Sequence, residues 1–195
     1  MAAQPEKRDE LKSHGRSQLA LVTAARRADR RAVWVSAITA AGVFSVGAGA
    51  IHASATSYQM GVSALYGLTF VAFAVGQIGW GLLAAAVPSR PMAVVGALGN
   101  AAVFATWVIT RIAGVPSGPL AGAPLPAGFA DSVATTLEGL AVVAALAALA
   151  TWHRGARSPH ARAAILIAAG GIASPLTTLA VLSQAAVIPA LPPSI

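Results

Sequence analysis

The sequence predicts an all-α integral membrane protein: a five-helix transmembrane bundle with its N-terminus in the cytoplasm and its C-terminus outside. Three observations carry that expectation. Only 10% of the 195 residues are charged and 56% are hydrophobic, whereas a soluble domain carries roughly 25% charged residues. Five apolar stretches each have about the length needed to cross a hydrocarbon core, near 20 residues. Lysine and arginine fall almost wholly on alternate connections between those stretches.

Composition also sets limits on chemistry. There is no cysteine, hence no disulfide, thiolate metal site or cysteine nucleophile. A net charge of +7 would suit nucleic acid, but eight of the thirteen basic residues lie in the first 31 positions, next to a span. Anionic lipid head groups are therefore the expected partner of this tail, and nucleic acid is not.

Residues 1–31 hold Lys7, Arg8, Lys12, Arg16, Arg26, Arg27, Arg30 and Arg31 against Glu6, Asp9, Glu10 and Asp29, a basic cytoplasmic tail. Good helix formers and a Leu19/Val22 face suit Gln18 to Arg31 to a short helix on the lipid surface; a disordered tail that only sets orientation is the plainer alternative. The membrane domain covers 32–189. Its first span, 33–55, has 23 uncharged residues, and at about 1.5 Å per residue it crosses a core of about 30 Å. Ala53-Ser54-Ala55 resembles a signal-peptidase site, but the apolar run and the charged region before it are too long for a signal peptide.

The second span, 61–87, is closed by Pro88-Ser89-Arg90-Pro91, where both prolines oppose helix continuation. The third is 92–110. Pro116, Pro119, Pro124 and Pro126 alternate with Gly114, Gly118, Gly122 and Gly128 in the following loop, which proline stiffness should order. Asp131 or Ser132 is placed to cap the fourth span, 130–152. After the basic loop His153 to Arg162, the fifth span, 163–189, carries Pro175 in its interior, where neighbouring helices must satisfy the freed carbonyl. Residues 190–195 form a short outer tail.

Threaded this way, one side receives the eight basic residues of the tail with Arg90, Arg154, Arg157 and Arg162, and the other only Arg111. The positive-inside rule makes the first side cytoplasmic. Gly42, Gly47 and Gly49, Gly76, Gly79 and Gly81, and Gly96 and Gly99 suit close approach of helices in lipid. Trp34, Trp80 and Trp152 fall near cytoplasmic ends, where tryptophan commonly anchors at the interface. No internal repeat of the inverted-transporter kind is present.

Between Val33 and Ile195 the only acidic residues are Asp131 and Glu138. Glu138 is seven residues inside an apolar span, about 10 Å deeper than Asp131 on the same helix face. A carboxylate there is costly and marks a site. His52, Arg111, Asp131 and Glu138 are the candidate ligand or proton site at the outer leaflet. Glu138 is tolerated if paired with Arg111, protonated, or open to water, and the Arg111 pair is the favoured reading. A metal on His52, Asp131 and Glu138 lacks any local ligand spacing. Tyr66, Gln77 and Asn100 are expected to form a deeper interhelical polar layer.

The stretch Gly96 to Leu140, with Asn100, Trp107, Arg111, the run Gly114-Val115-Pro116-Ser117-Gly118-Pro119, Asp131 and Glu138, resembles a pattern of small, uncharacterised polytopic membrane proteins of actinobacteria. His52 fits it as well. The chain departs from the pattern at Leu125, where an acidic residue would stand, and in lacking a second outer histidine between Ala53 and Gly61. The resemblance implies a membrane protein with an outward polar site and brings no established activity.

No phosphate-binding glycine loop, nucleophile elbow or H-E-x-x-H motif is present. No catalytic residue, cofactor or metal is therefore assigned, and no enzyme is expected. The sequence reads as a plasma-membrane, non-enzymatic accessory or scaffold subunit, in contact with the bilayer and with a membrane protein or a second copy of itself. The alternative is a small transporter or proton- or ion-linked binder using the His/Arg/Glu site.

Overall fold

The computed structural model describes residues 5–152 and 160–187, with side chains described for 14–25, 33–152 and 165–184. Among the described residues the helices are α1 (Pro5–Val62), α2 (Ala64–Ala86), α3 (Arg90–Ile112), α4 (Phe129–Thr151) and α5 (His160–Val187). Each contains a stretch long and apolar enough to cross a membrane: Val33–Val62, Ala64–Ala86, Arg90–Ile112, Phe129–Thr151 and Ile165–Gln184. The chain is therefore an all-helical, multi-pass membrane protein. The loop His153 to Arg162 lies mainly outside the described residues, its last three belonging to α5, and the tail 190–195 lies wholly outside them.

α1 is longer than the sequence suggests at both ends. The basic tail is continuous with the first span as one helix, so it is not a separate helix turned onto the lipid surface. Residues 14–25 are all exposed. By helical rise, Arg26 is about 10 Å and Lys12 about 30 Å from Val33 along the axis.

At the other end α1 runs to Val62, through 56–60, where a connection had been expected. That segment contains neither glycine nor proline, and hydroxyls in and just before it return to carbonyls of the helix. Ser54 Oγ donates to Ile51 O at 2.7 Å and Thr56 Oγ1 to His52 O at 3.1 Å. Ser63 alone breaks the helix; in extended conformation it caps α2 by accepting from Tyr66 N. Ser89 caps α3 in the same way, with Pro91 in the first turn.

α1 is the axis of the bundle. Its span is 72% buried, against 22%, 22% and 17% for those of α2, α3 and α5; it packs on α2, α4 and α5, while α3 packs chiefly on α4. The core is rich in alanine: Ala40, Phe44, Ala48 and Ile51 of α1 meet Val133, Ala134, Leu137 and Ala141 of α4 and Ala169, Ala173 and Ala180 of α5. Such residues bring backbones together, and in lipid this packing replaces the hydrophobic drive. The closest crossing is between α1 and α2, where a Cβ on Gly42 would stand 2.6 Å from Gly81 O, and one on Gly81 would stand 2.6 Å from Gly42 O. Gly47, Gly49 and Gly96 also lie at contacts, but Gly76, Gly79 and Gly99 face open space.

Two tryptophans do more than anchor. Trp80 lies over Gly96, where a Cβ would overlap its ring, and donates to Met92 O at 3.0 Å, tying α2 to α3. Trp34 is buried against the edge of Trp152, with ring centroids 4.6 Å apart.

Candidate functional site

Four helices place one polar side chain each at a common depth. His52 comes from α1, ten residues before its end; Gln77 from the middle of α2; Asn100 from α3; and Glu138 from the third turn of α4. Glu138 Oε1 is the focus. His52 Nε2 lies 2.9 Å from it, and Gln77 Nε2 donates to it at 3.1 Å. The other Gln77 amide hydrogen points to Asn100 Oδ1 at 3.5 Å, a weak contact, and Asn100 Nδ2 donates to Gly96 O at 3.0 Å.

The cluster is closed by packing. Glu138 is 1% exposed, Asn100 3%, Gln77 5% and His52 9%. The His52 ring meets the edges of Phe70 and Phe73, with centroids 5.3 and 5.6 Å away. Ser45 of α1 donates to Gln77 O at 3.1 Å and fixes the backbone from which the amide extends. Two acceptors remain without a partner: Glu138 Oε2 and Gln77 Oε1. Among the described residues no group of three His, Cys, Asp or Glu is placed to hold a metal ion.

Arg111 does not reach this cluster. It pairs instead with Asp131, which also accepts from Trp107 Nε1 at 3.1 Å, and its guanidinium lies 5.0 Å over the Trp107 ring. Its second terminal nitrogen donates to Thr110 Oγ1 at 2.9 Å. The favoured Arg111–Glu138 pair is thus corrected to two separate pairs, His52–Glu138 and Arg111–Asp131. The reason is depth: Arg111 is in the last turn of α3, and a long cationic chain near a span end extends toward water rather than into the bilayer. Asp131, in the first turn of α4, is the acid within reach, and its negative charge also suits the positive end of that helix. Asp131 is consequently not the cap: Gly128 occupies that position with no side-chain bond, and Ser132 lies inside the helix.

Tyr66 likewise leaves the polar layer proposed for it. Its hydroxyl donates to Ser117 O at 2.9 Å and accepts from Leu120 N at 3.1 Å, pinning the loop between α3 and α4. That loop turns on Gly114, Gly118 and Gly122, all with positive φ, which glycine adopts without steric cost. Leu125 N closes it by donating to Thr110 O.

Sequence reasoning identified His52, Gln77, Asn100 and Glu138 but placed them in two layers. It missed Ser45, Phe70 and Phe73, which carry no signal apart from helical spacing relative to Gln77 and His52. Comparison with known protein families, characterised proteins and solved structures finds no match.

Proposed function

We propose that the chain is a non-enzymatic accessory or scaffold subunit of the plasma membrane, with its N-terminus cytoplasmic and its C-terminus outside. The observation behind this reading is how the bundle engages its acidic side chains. Both acidic side chains of the membrane domain are engaged internally, Glu138 by His52 and Asp131 by Arg111. A catalytic or carrier site presents such groups to a substrate, whereas here they join helices to one another.

The outward surface suits a scaffold. α2, α3 and α5 direct most of their apolar surface away from the core, toward lipid and toward a membrane partner or a second copy. The distribution of Lys and Arg supports the orientation, and the arginines just before Val33 are placed for anionic head groups. A proton- or ion-linked role is the second reading, favoured by one atom, the unpartnered Glu138 Oε2.

Because the chain has no cysteine, single cysteines report cleanly. With a membrane-impermeant thiol reagent on intact cells, Ser117→Cys is expected to label and Ser17→Cys to remain protected; the reverse pattern overturns the orientation. Native extraction into lipid discs followed by mass measurement is expected to give a fixed assembly. Particles holding one 19.4 kDa chain and no companion would overturn the scaffold reading.

A further inference from the structure

Among the described residues, two of the buried side-chain atoms without a partner are acceptors in one cluster, Glu138 Oε2 and Gln77 Oε1. Glu138 Oε1 accepts from Gln77 Nε2 and lies 2.9 Å from His52 Nε2, while Glu138 Oε2 has no partner, and Gln77 Oε1 is also unpartnered. These atoms belong to the two groups already joined by the 3.1 Å bond from Gln77 Nε2 to Glu138 Oε1. A carboxylate would spread its donors over both oxygens, and leaving one bare in a low-dielectric interior forfeits a charge-assisted bond. The pattern seen, both nitrogens gathered on Oε1 and neither on Oε2, matches a neutral acid whose carbonyl oxygen is Oε1.

We infer that Glu138 is a proton-binding site: it holds a proton on Oε2 and donates it to Gln77 Oε1, forming a neutral acid–amide pair. His52 Nε2–H is then the second donor to Oε1, and its ring is uncharged. One proton satisfies both orphaned atoms, and among possible guests only a proton needs no space in a site whose acid is 1% exposed. Loading the site forms one O–H bond at Oε2 and removes one negative charge, with no other bond changed. This goes beyond the scaffold role, which does not require the site to take up or release anything.

The charged and titratable groups around it are few. On α1 there is His52 itself, and Tyr58 is exposed. Tyr66 of α2 is held by the loop between α3 and α4, Arg111 of α3 and Asp131 of α4 hold each other, and Arg90 is at the far end of α3. α5 has no charged residue between Ile165 and Gln184. No cation other than His52 is therefore available to Glu138 among the described side chains, and His52 becomes one only by taking the proton that Glu138 would otherwise hold.

The chain contains three glutamates, Glu6, Glu10 and Glu138, so an E6Q/E10Q variant leaves Glu138 as the only one without touching the bundle. This variant, labelled with 13C at the glutamate δ-carbon and reconstituted in lipid bilayers at pH 7, is read by solid-state NMR, where acid and carboxylate carbons have distinct shifts. The expected result is a single carboxyl signal at the acid position that moves when Gln77→Leu removes the amide. A signal at the carboxylate position, with the His52 ring doubly protonated, overturns the proposal in favour of an ion pair. An acid signal unmoved by Gln77→Leu overturns the acid–amide pairing.

Discussion

Replacement of Glu138 by leucine and by glutamine should have very different costs. Leucine removes the oxygen that His52 Nε2 and one Gln77 amide hydrogen face, at 2.9 and 3.1 Å. Each buried donor left unpaired costs about 1–3 kcal/mol in a soluble core. Interhelical hydrogen bonds in membranes average nearer 0.6 kcal/mol, because the unfolded state in lipid also finds partners. Glu138 is 1% exposed, so water cannot take over, and a loss of about 2–3 kcal/mol lies between these limits.

Glutamine has the shape of the protonated acid. Its oxygen accepts the same two bonds, and its amide hydrogen can serve Gln77 Oε1. The expected loss is below about 1 kcal/mol, within the range for an exchange of neutral hydrogen bonds. If Glu138 were instead a carboxylate paired with a charged His52, glutamine would strand a buried cation and cost about 3–5 kcal/mol. Reversible unfolding by SDS in mixed micelles, followed by fluorescence of the four tryptophans, separates these outcomes. Equal destabilisation by glutamine and leucine would refute the reasoning.

Three other perturbations test the fold around the site. Gly42→Ala places a Cβ 2.6 Å from Gly81 O and should cost about 1–3 kcal/mol by overpacking. Gly79→Ala meets nothing within 4 Å and should be neutral or gain up to about 1 kcal/mol of helix propensity; the same unfolding assay reads both. Asp131→Asn weakens a pair whose side chains are 18% and 31% exposed and should cost about 1 kcal/mol or less, so a loss of several would show that the Arg111–Trp107–Asp131 group holds α3 to α4. Tyr66→Phe removes both bonds to Ser117 and Leu120; hydrogen exchange at Leu120 should rise severalfold while the spans stay protected, and unchanged exchange would show that the loop is held by its glycine turns alone.

Much of this architecture was legible in the residues because membrane insertion is a local matter. Hydropathy over about 20 residues and full satisfaction of the backbone within each helix do not depend on which neighbours the helix meets. Val33 to Ala55 reads as a span whatever lies beside it. The end of α1 lies beyond the expected Ala55 because the polar run Thr56-Ser57-Tyr58-Gln59 looks like a connection, yet the Thr56 hydroxyl returns to the helix's own His52 carbonyl. Pairing was harder. Arg111 and Glu138 were joined on the expectation that the deepest charge takes the nearest arginine.

The sequence by itself determined that the chain enters the membrane, roughly where each helix crosses, and that His52, Asp131, Glu138 and Arg111 are polar groups needing partners. It also showed which glycines permit close approach, though not which ones use it. Only the tertiary structure decided who pairs with whom: His52 with Glu138, Arg111 with Asp131, Gln77 brought up to the acid, and Tyr66 given to the loop between α3 and α4. Helix depth, tilt and rotation set those choices. They arise from van der Waals fit between helices, as at Gly42 and Gly81, where a few tenths of an ångström count and no single-helix pattern records the partner's shape.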